Sequence, residues 1–275
     1  MIQYNQSYIF SSAPENGAKN RSATGDSFQV QLSQPITLPR EAQNATLEVV
    51  QADIWNTVPN ISLLKGNNKF RFSVGEIVSL ETITIQDGLY SVGALNSFLS
   101  RELVGLGYPA DLINLVGDGS TQKIIITFSQ EDTLIDFRGG DTCREILGFD
   151  SRLVPTSLST AGQTVYGDNI AQFNQINSFL VHSSLVSNGI PVNSIGENII
   201  ANVPITAKPG SQIIYQPYNP TQTSLNTLIG MPINNFRIWL TDEKNQGPLE
   251  LGTENFSVTV VIRYYLQSQG VNRVM

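Results

Sequence analysis

The single histidine of this chain, His182, lies in Ser178-Phe-Leu-Val-His-Ser-Ser-Leu185, with Ser183 and Ser184 beside it. A histidine within reach of a serine and a carboxylate is the apparatus of nucleophilic acyl transfer. No Gly-x-Ser-x-Gly elbow is present to hold a serine on a strained turn. Strand alternation groups His182 with Leu180 and Ser184, opposite Phe179, Val181 and Leu185, which reads as a strand-surface or interface histidine. One histidine also removes every multi-histidine metal centre, the cupin type included.

Carboxylates crowd the stretch Glu131, Asp132, Asp136, Asp141, Glu145 and Asp150. Paired acids at the right separation hydrolyse glycosides, but spacing along a chain does not show separation in space. The calcium pattern Asp-x-Asp-x-Asp-Gly is absent, and Arg138 and Arg144 sit among the acids, so a solvated charged face is the reading. Gly117-Asp118-Gly119-Ser120-Thr121-Gln122-Lys123 suggests a phosphate loop. It lacks the Gly-Lys-Ser/Thr ending and its lysine enters a strand, so it reads as a hairpin turn. Cys143, the only cysteine, excludes an internal disulfide and a Cys-based zinc site, and at the start of a short helix it reads as a small buried residue. No metal and no cofactor is expected.

Composition narrows the classes further. Of 275 residues 40% are apolar and only 14% charged, against about 25% charged in ordinary globular domains. Ser, Asn, Thr and Gln fill the gap with 89 residues. Strand surfaces accept these side chains, whereas exposed helix faces prefer Lys, Glu and Arg. The net charge of −7 opposes a coat for nucleic acid or anionic lipid. No apolar run of about 18 residues is present, so no transmembrane helix is expected. Met1-Ile-Gln-Tyr-Asn-Gln6 does not read as a signal peptide.

The elements that must position these residues are mostly strands. Phe28-Gln-Val30-Gln-Leu32 alternates at period two, as do Lys69–Val74 and Phe256–Leu266. Further strands are expected at 45–55, 80–85, 123–128, 133–137, 178–185, 198–205, 212–215 and 235–240. One helix stands out: Ser91 can cap it, and Val92, Leu95, Leu99 and Leu103 share a face. A short helical turn is expected at 142–147, and residues 150–175 read as a long surface loop. So few helices cannot cover both faces of a parallel sheet. The fold class is therefore all-β, a jelly-roll β-sandwich: a single jelly roll with an inserted helix and long loops. Residues 1–26 are expected to form a flexible N-terminal arm carrying Tyr4, Tyr8, Ile9 and Phe10 as a docking cluster, and residues 27–275 the sandwich, with an insertion around 150–175.

An ordered set of segments resembles a known family. It comprises Phe28-Gln-Val-Gln-Leu-Ser-Gln-Pro-Ile-Thr-Leu-Pro39, Ala52-Asp-Ile-Trp-Asn-Thr-Val-Pro-Asn60, Gly88-Leu-Tyr-Ser-Val92 leading into Leu95-Asn-Ser-Phe-Leu99, and Ile146-Leu-Gly-Phe149. Over about residues 26–150 the chain resembles the penton-type minor capsid proteins of polintons, virophages and related tailless double-stranded DNA viruses. The resemblance implies a non-enzymatic homopentamer at the five-fold vertices of an icosahedral virion, made in the host cytoplasm. Its partners would be its own copies, trimeric major capsid proteins and a spike or attachment protein; the acidic charge balance argues against direct contact with nucleic acid. Arg138-Gly-Gly-Asp141 is not the Arg-Gly-Asp triplet that some pentons use to bind cells. The alternatives are a compact trimeric major capsid protein, a receptor- or carbohydrate-binding sandwich using Tyr215, Tyr218, Asn219 and Trp239, and last a glycoside hydrolase using the acids at 131–150.

Overall fold

The computed structural model describes residues 1–75, 80–191 and 198–267. The chain divides into two compact units, one of Met1–Val58 with Ile176–Met275 and the other of Pro59–Gln175. In chain order the elements are β1 (Ile2–Ser11), β2 (Ser27–Thr37), β3 (Gln43–Trp55), β4 (Lys69–Val74), β5 (Glu81–Thr84), α1 (Val92–Gly105), β6 (Ile113–Gly117), β7 (Ile124–Phe128) and β8 (Thr133–Asp136). They continue with α2 (Arg144–Leu147), β9 (Leu153–Val154), β10 (Thr164–Tyr166), β11 (Ser178–Ser183), β12 (Ile199–Pro204), β13 (Gln212–Tyr215), β14 (Gln222–Ser224), β15 (Pro232–Asp242) and β16 (Ser257–Leu266).

The first unit is a sandwich of two antiparallel sheets. One has the order β1-β16-β3-β13, with β14 also on β3; the other has the order β12-β11-β15-β2. Apart from the consecutive pairs β11–β12 and β13–β14, successive jelly-roll strands alternate between the sheets, so each sheet interleaves strands from both ends of the chain. That is the double Greek key of a jelly roll. Alternation decides which side chains enter. Val258, Val260, Ile262 and Tyr264 of β16 point into the sandwich, as do Phe28 and Val30 of β2 and Phe236, Ile238 and Leu240 of β15. Burying these rows is the main driving force, at roughly 25 cal/mol per Å² of apolar surface. The all-β jelly roll expected from the sequence is therefore the observed fold.

The second unit interrupts the jelly roll between β3 and β11. It holds a four-stranded sheet, β5-β4-β8-β9, a three-stranded sheet, β10-β7-β6, and helix α1. Its own core gathers Phe70, Phe72, Leu95, Leu99, Leu103, Ile126, Phe128, Phe137 and Phe149. Ser91 caps α1 by accepting the Ala94 N–H at 3.2 Å, and Leu95, Phe98, Leu99 and Leu103 form its buried stripe. Among the described residues no helix is long and apolar enough to cross a membrane.

Two boundaries differ from those read in the sequence. The inserted piece is residues 59–175 with a core of its own, not a loop around 150–175 in one continuous sandwich. Alternation in β4–β7 shows which face is buried but not which sheet covers it, and among the described residues the strands of this unit, β4–β10, pair only with one another. Residues 1–26 are no loose arm. Residues 2–11 form the edge strand β1, paired with β16 along its whole length. The polar stretch after it is tied down: Asp26 accepts bonds from Ser22, Thr24 and the Leu249 N–H, and Arg21 donates to the carbonyls of Gly252 and Glu254.

Candidate functional site

His182 is on β11, and its neighbours Phe179 and Val181 face the core as alternation requires. It is nevertheless buried, not at the surface. Trp239, opposite it on β15, lies flat on its ring, and its Nε2 is 2.9 Å from the hydroxyl of Thr241. Burial pushes its pKa down to about 4, so the ring is neutral at neutral pH. The adjacent hydroxyls are otherwise engaged: Ser183 Oγ accepts the Leu185 N–H and Ser184 Oγ accepts the Arg237 N–H. Its hydroxyl contact is Thr241, a residue outside the local triad reading.

Two of the acids at 131–150 are held by separate arginines. Asp136 takes a two-pronged bond from Arg138, and Asp141 is bound by Arg71. Outside this run, Arg152 grips Asp168 in the same way. Hydrogen bonds from those arginines hold all three carboxyls below the usual range. A glycosidase needs one carboxyl shifted the other way, to stay protonated as an acid. Among the described residues no group of three or more His, Cys, Asp or Glu is placed to hold a metal ion.

Cys143 is fully buried at the start of α2, and burial raises its thiol to about 12, far from a nucleophile's value. The Gly117–Lys123 segment is the turn between β6 and β7. Asp118 organises it by accepting bonds from Ser120 and Thr121, which lower its pKa to about 2. The aromatic platform does not assemble. Tyr215 belongs to β13 and packs toward the core, whereas Trp239 belongs to β15 in the opposite sheet and faces outward.

The cluster Tyr4, Tyr8, Ile9 and Phe10 divides by strand face. Phe10 is a core residue, edge-on to Phe236 with ring centroids 4.9 Å apart, and so is corrected from a docking residue to a packing one. Tyr4 stacks on Tyr264 and Tyr8 on Phe10, both at the open margin of the core. Ile9 points the other way and is 74% exposed. Between the edge strands β1 and β2 lies a cleft of about 180 Å³, lined by Tyr8, Phe10, Phe28, Val30 and Leu32 among others. Ile214, on the far edge of the same sheet, is 62% exposed and has no motif to mark it. The hint available in the sequence was the surrounding run, residues 209–236, which carries no charge.

No family model matches the chain, and no curated protein matches it. Among solved structures 24 chains match. One is a crystal structure of mavirus penton protein, with TM-score 0.48 and 12% identity, covering 96% of this chain and 100% of that one. At that identity and TM-score the likeness transfers no residue's role to this chain.

Proposed function

We propose that this chain is a structural capsid protein, acting as the penton that closes the five-fold vertices of an icosahedral virion as a homopentamer. The observation that carries the proposal is the jelly roll itself: a strand order that serves capsid and lectin domains, here with uncharged strands at both edges of its first sheet. Fold alone does not assign function. The side chains favour the structural reading over its rivals. His182 and Cys143 are buried, and Asp136, Asp141 and Asp168 are each bound to an arginine, so these groups maintain the fold. Tyr215 and Trp239 lie on different sheets, which disfavours a stacking platform for sugars. Many uncharged polar side chains suit wet interfaces with few charges to desolvate. In this reading the neighbours on the shell are trimeric major capsid proteins, a spike or attachment protein sits on the vertex, and packaged DNA is not a ligand.

Native mass spectrometry of the purified chain tests the proposal. A complex of five 30.1 kDa copies is the expected result. A trimer overturns the vertex assignment in favour of a major capsid role. Binding on a glycan array by a chain that stays monomeric overturns the structural assignment altogether.

A further inference from the structure

An edge strand with open N–H and C=O groups is a pairing template, and proteins that stay monomeric blunt such edges with charge, proline or bulges. The first sheet of the jelly roll has two edges, β1 and β13, and neither is blunted in this way. The ten residues of β1, Ile2-Gln-Tyr-Asn-Gln-Ser-Tyr-Ile-Phe-Ser11, contain no charge and no proline. Its register with β16 runs from Ile2 opposite Leu266 to Ser11 opposite Ser257 without a shift. At the other edge, Gln212-Ile-Ile-Tyr215 is also uncharged, and so is the connection Gln216-Pro-Tyr-Asn-Pro-Thr221 that follows.

Each edge carries apolar side chains that no described residue covers. Ile9 on β1 and Ile214 on β13 both point away from the core, on the same outer face of the sheet. Tyr218, between the two prolines of the connection, is 97% exposed. Prolines on either side hold such a side chain with little conformational entropy left to lose. At the opposite edge the β1–β2 cleft offers about 180 Å³ walled by Tyr8, Phe10, Phe28, Val30 and Leu32. A cavity of about 150 Å³ already admits a benzene-sized ring.

We infer that the β13 edge and the Tyr218 loop of one copy dock on the β1 edge and the β1–β2 cleft of a second copy. The commitment to a second copy rests on three features. Donor and acceptor lie on opposite edges of one sheet, as a head-to-tail contact requires. Both surfaces are uncharged, so neither desolvates an ion on contact. The four strands β1, β16, β3 and β13 alternate in direction, so a neighbour in the same orientation presents its β1 antiparallel to β13 and continues the sheet. Head-to-tail contacts close into rings when the rotation per copy allows it. The inference rests on the proposed self-assembly and names the surface that would carry it.

Three proteins test it: wild type, an acceptor-edge variant Ile9→Lys, and a donor-edge variant carrying Ile214→Lys and Tyr218→Ser. All three substituted positions are exposed, so the fold should survive, and circular dichroism and thermal melting check that it does. By native mass spectrometry and sedimentation, wild type is expected to assemble and each variant alone to run as a monomer. Mixed, the variants should form one-to-one dimers and nothing larger, because the mixture has one intact donor and one intact acceptor. A pentamer that persists in both variants overturns the edge contact while leaving the vertex reading standing. Wild-type dimers or open chains that the substitutions abolish support the edge contact and overturn the five-fold ring. A wild-type chain that stays monomeric at high concentration overturns the edge contact, and the vertex reading is then decided separately by whether the chain occupies vertices of intact particles.

Discussion

The imidazole of His182 lies flat against the indole of Trp239, with ring centroids 4.9 Å apart and planes 12° from parallel. The stack joins β11 to β15 on the outer face of their sheet, and among the described residues the buried Nδ1 of the histidine has no hydrogen-bond partner. Charging this ring would bury an imidazolium whose Nδ1–H has no acceptor.

Stability should therefore fall on acidification through a defined window. The folded value is lowered to about 4 from an ordinary 6.5, so between these values the unfolded chain binds a proton that the folded chain refuses. The contribution is complete above the unfolded value and is lost as pH falls from about 6.5 toward about 4. A shift of that size corresponds to about 3 kcal/mol in total. Urea unfolding at several pH values should show this slope in wild type and lose it in His182→Gln. An unchanged slope in the variant would assign the acid sensitivity to other groups.

Cys143 should behave as an inert core residue. With no exposed surface and a thiol raised to about 12, it should resist alkylating reagents in native buffer and react quickly in urea. Cys143→Ser places a hydroxyl in an apolar site and should cost about 1–3 kcal/mol. Rapid native labelling would refute the buried assignment.

Glu48 and Arg263 make a third test. Glu48 on β3 is 2% exposed; Arg263 on β16 brings Nε to 2.8 Å from its carboxylate, without the alignment of a hydrogen bond, and Gln222 donates to the same oxygen. Arg263→Met strands the buried carboxylate and should cost about 2 kcal/mol, the arginine's partial exposure keeping the figure low. Adding Glu48→Gln should recover much of the loss. Equal losses in the single and double variants would show that the ion pair is not the source.

Gly148 closes α2 with φ +75°, and a side chain there would run into the carbonyl oxygen of Asn169. Both the backbone conformation and the contact oppose any other residue. Gly148→Ala should lower stability by about 1–3 kcal/mol, read as a reduced denaturation midpoint. A neutral result would mean that the 169–170 segment moves aside freely.

Much of the jelly roll was legible because strands half buried in a sandwich alternate. Phe28, Val30, Val258, Val260 and Ile262 mark their inward face without knowledge of any partner. Ser91 and the Leu95/Leu99/Leu103 stripe marked α1 just as directly. The division at residue 59 was not legible. Strands β4 to β7 alternate much as the jelly-roll strands do, and period carries no information on which sheet a strand joins. β1 was hidden for a related reason: Tyr4, Gln6, Tyr8 and Phe10 alternate with polar residues and Ile9, and an edge strand with few apolar positions resembles a tail until its partner β16 is known.

Read alone, the sequence determined the class of protein: charge, residue types and local periodicity settled an all-β chain, one convincing helix, a single histidine and a single cysteine. These follow from composition and from neighbours a few residues apart. The tertiary structure decided which strands share a sheet and which acids meet which arginines. It also showed that Phe10 fills the core while Ile9, one residue earlier, remains exposed. Such outcomes depend on groups far apart in the chain. β1 meets β16 more than 240 residues away, and only the folded chain brings them side by side.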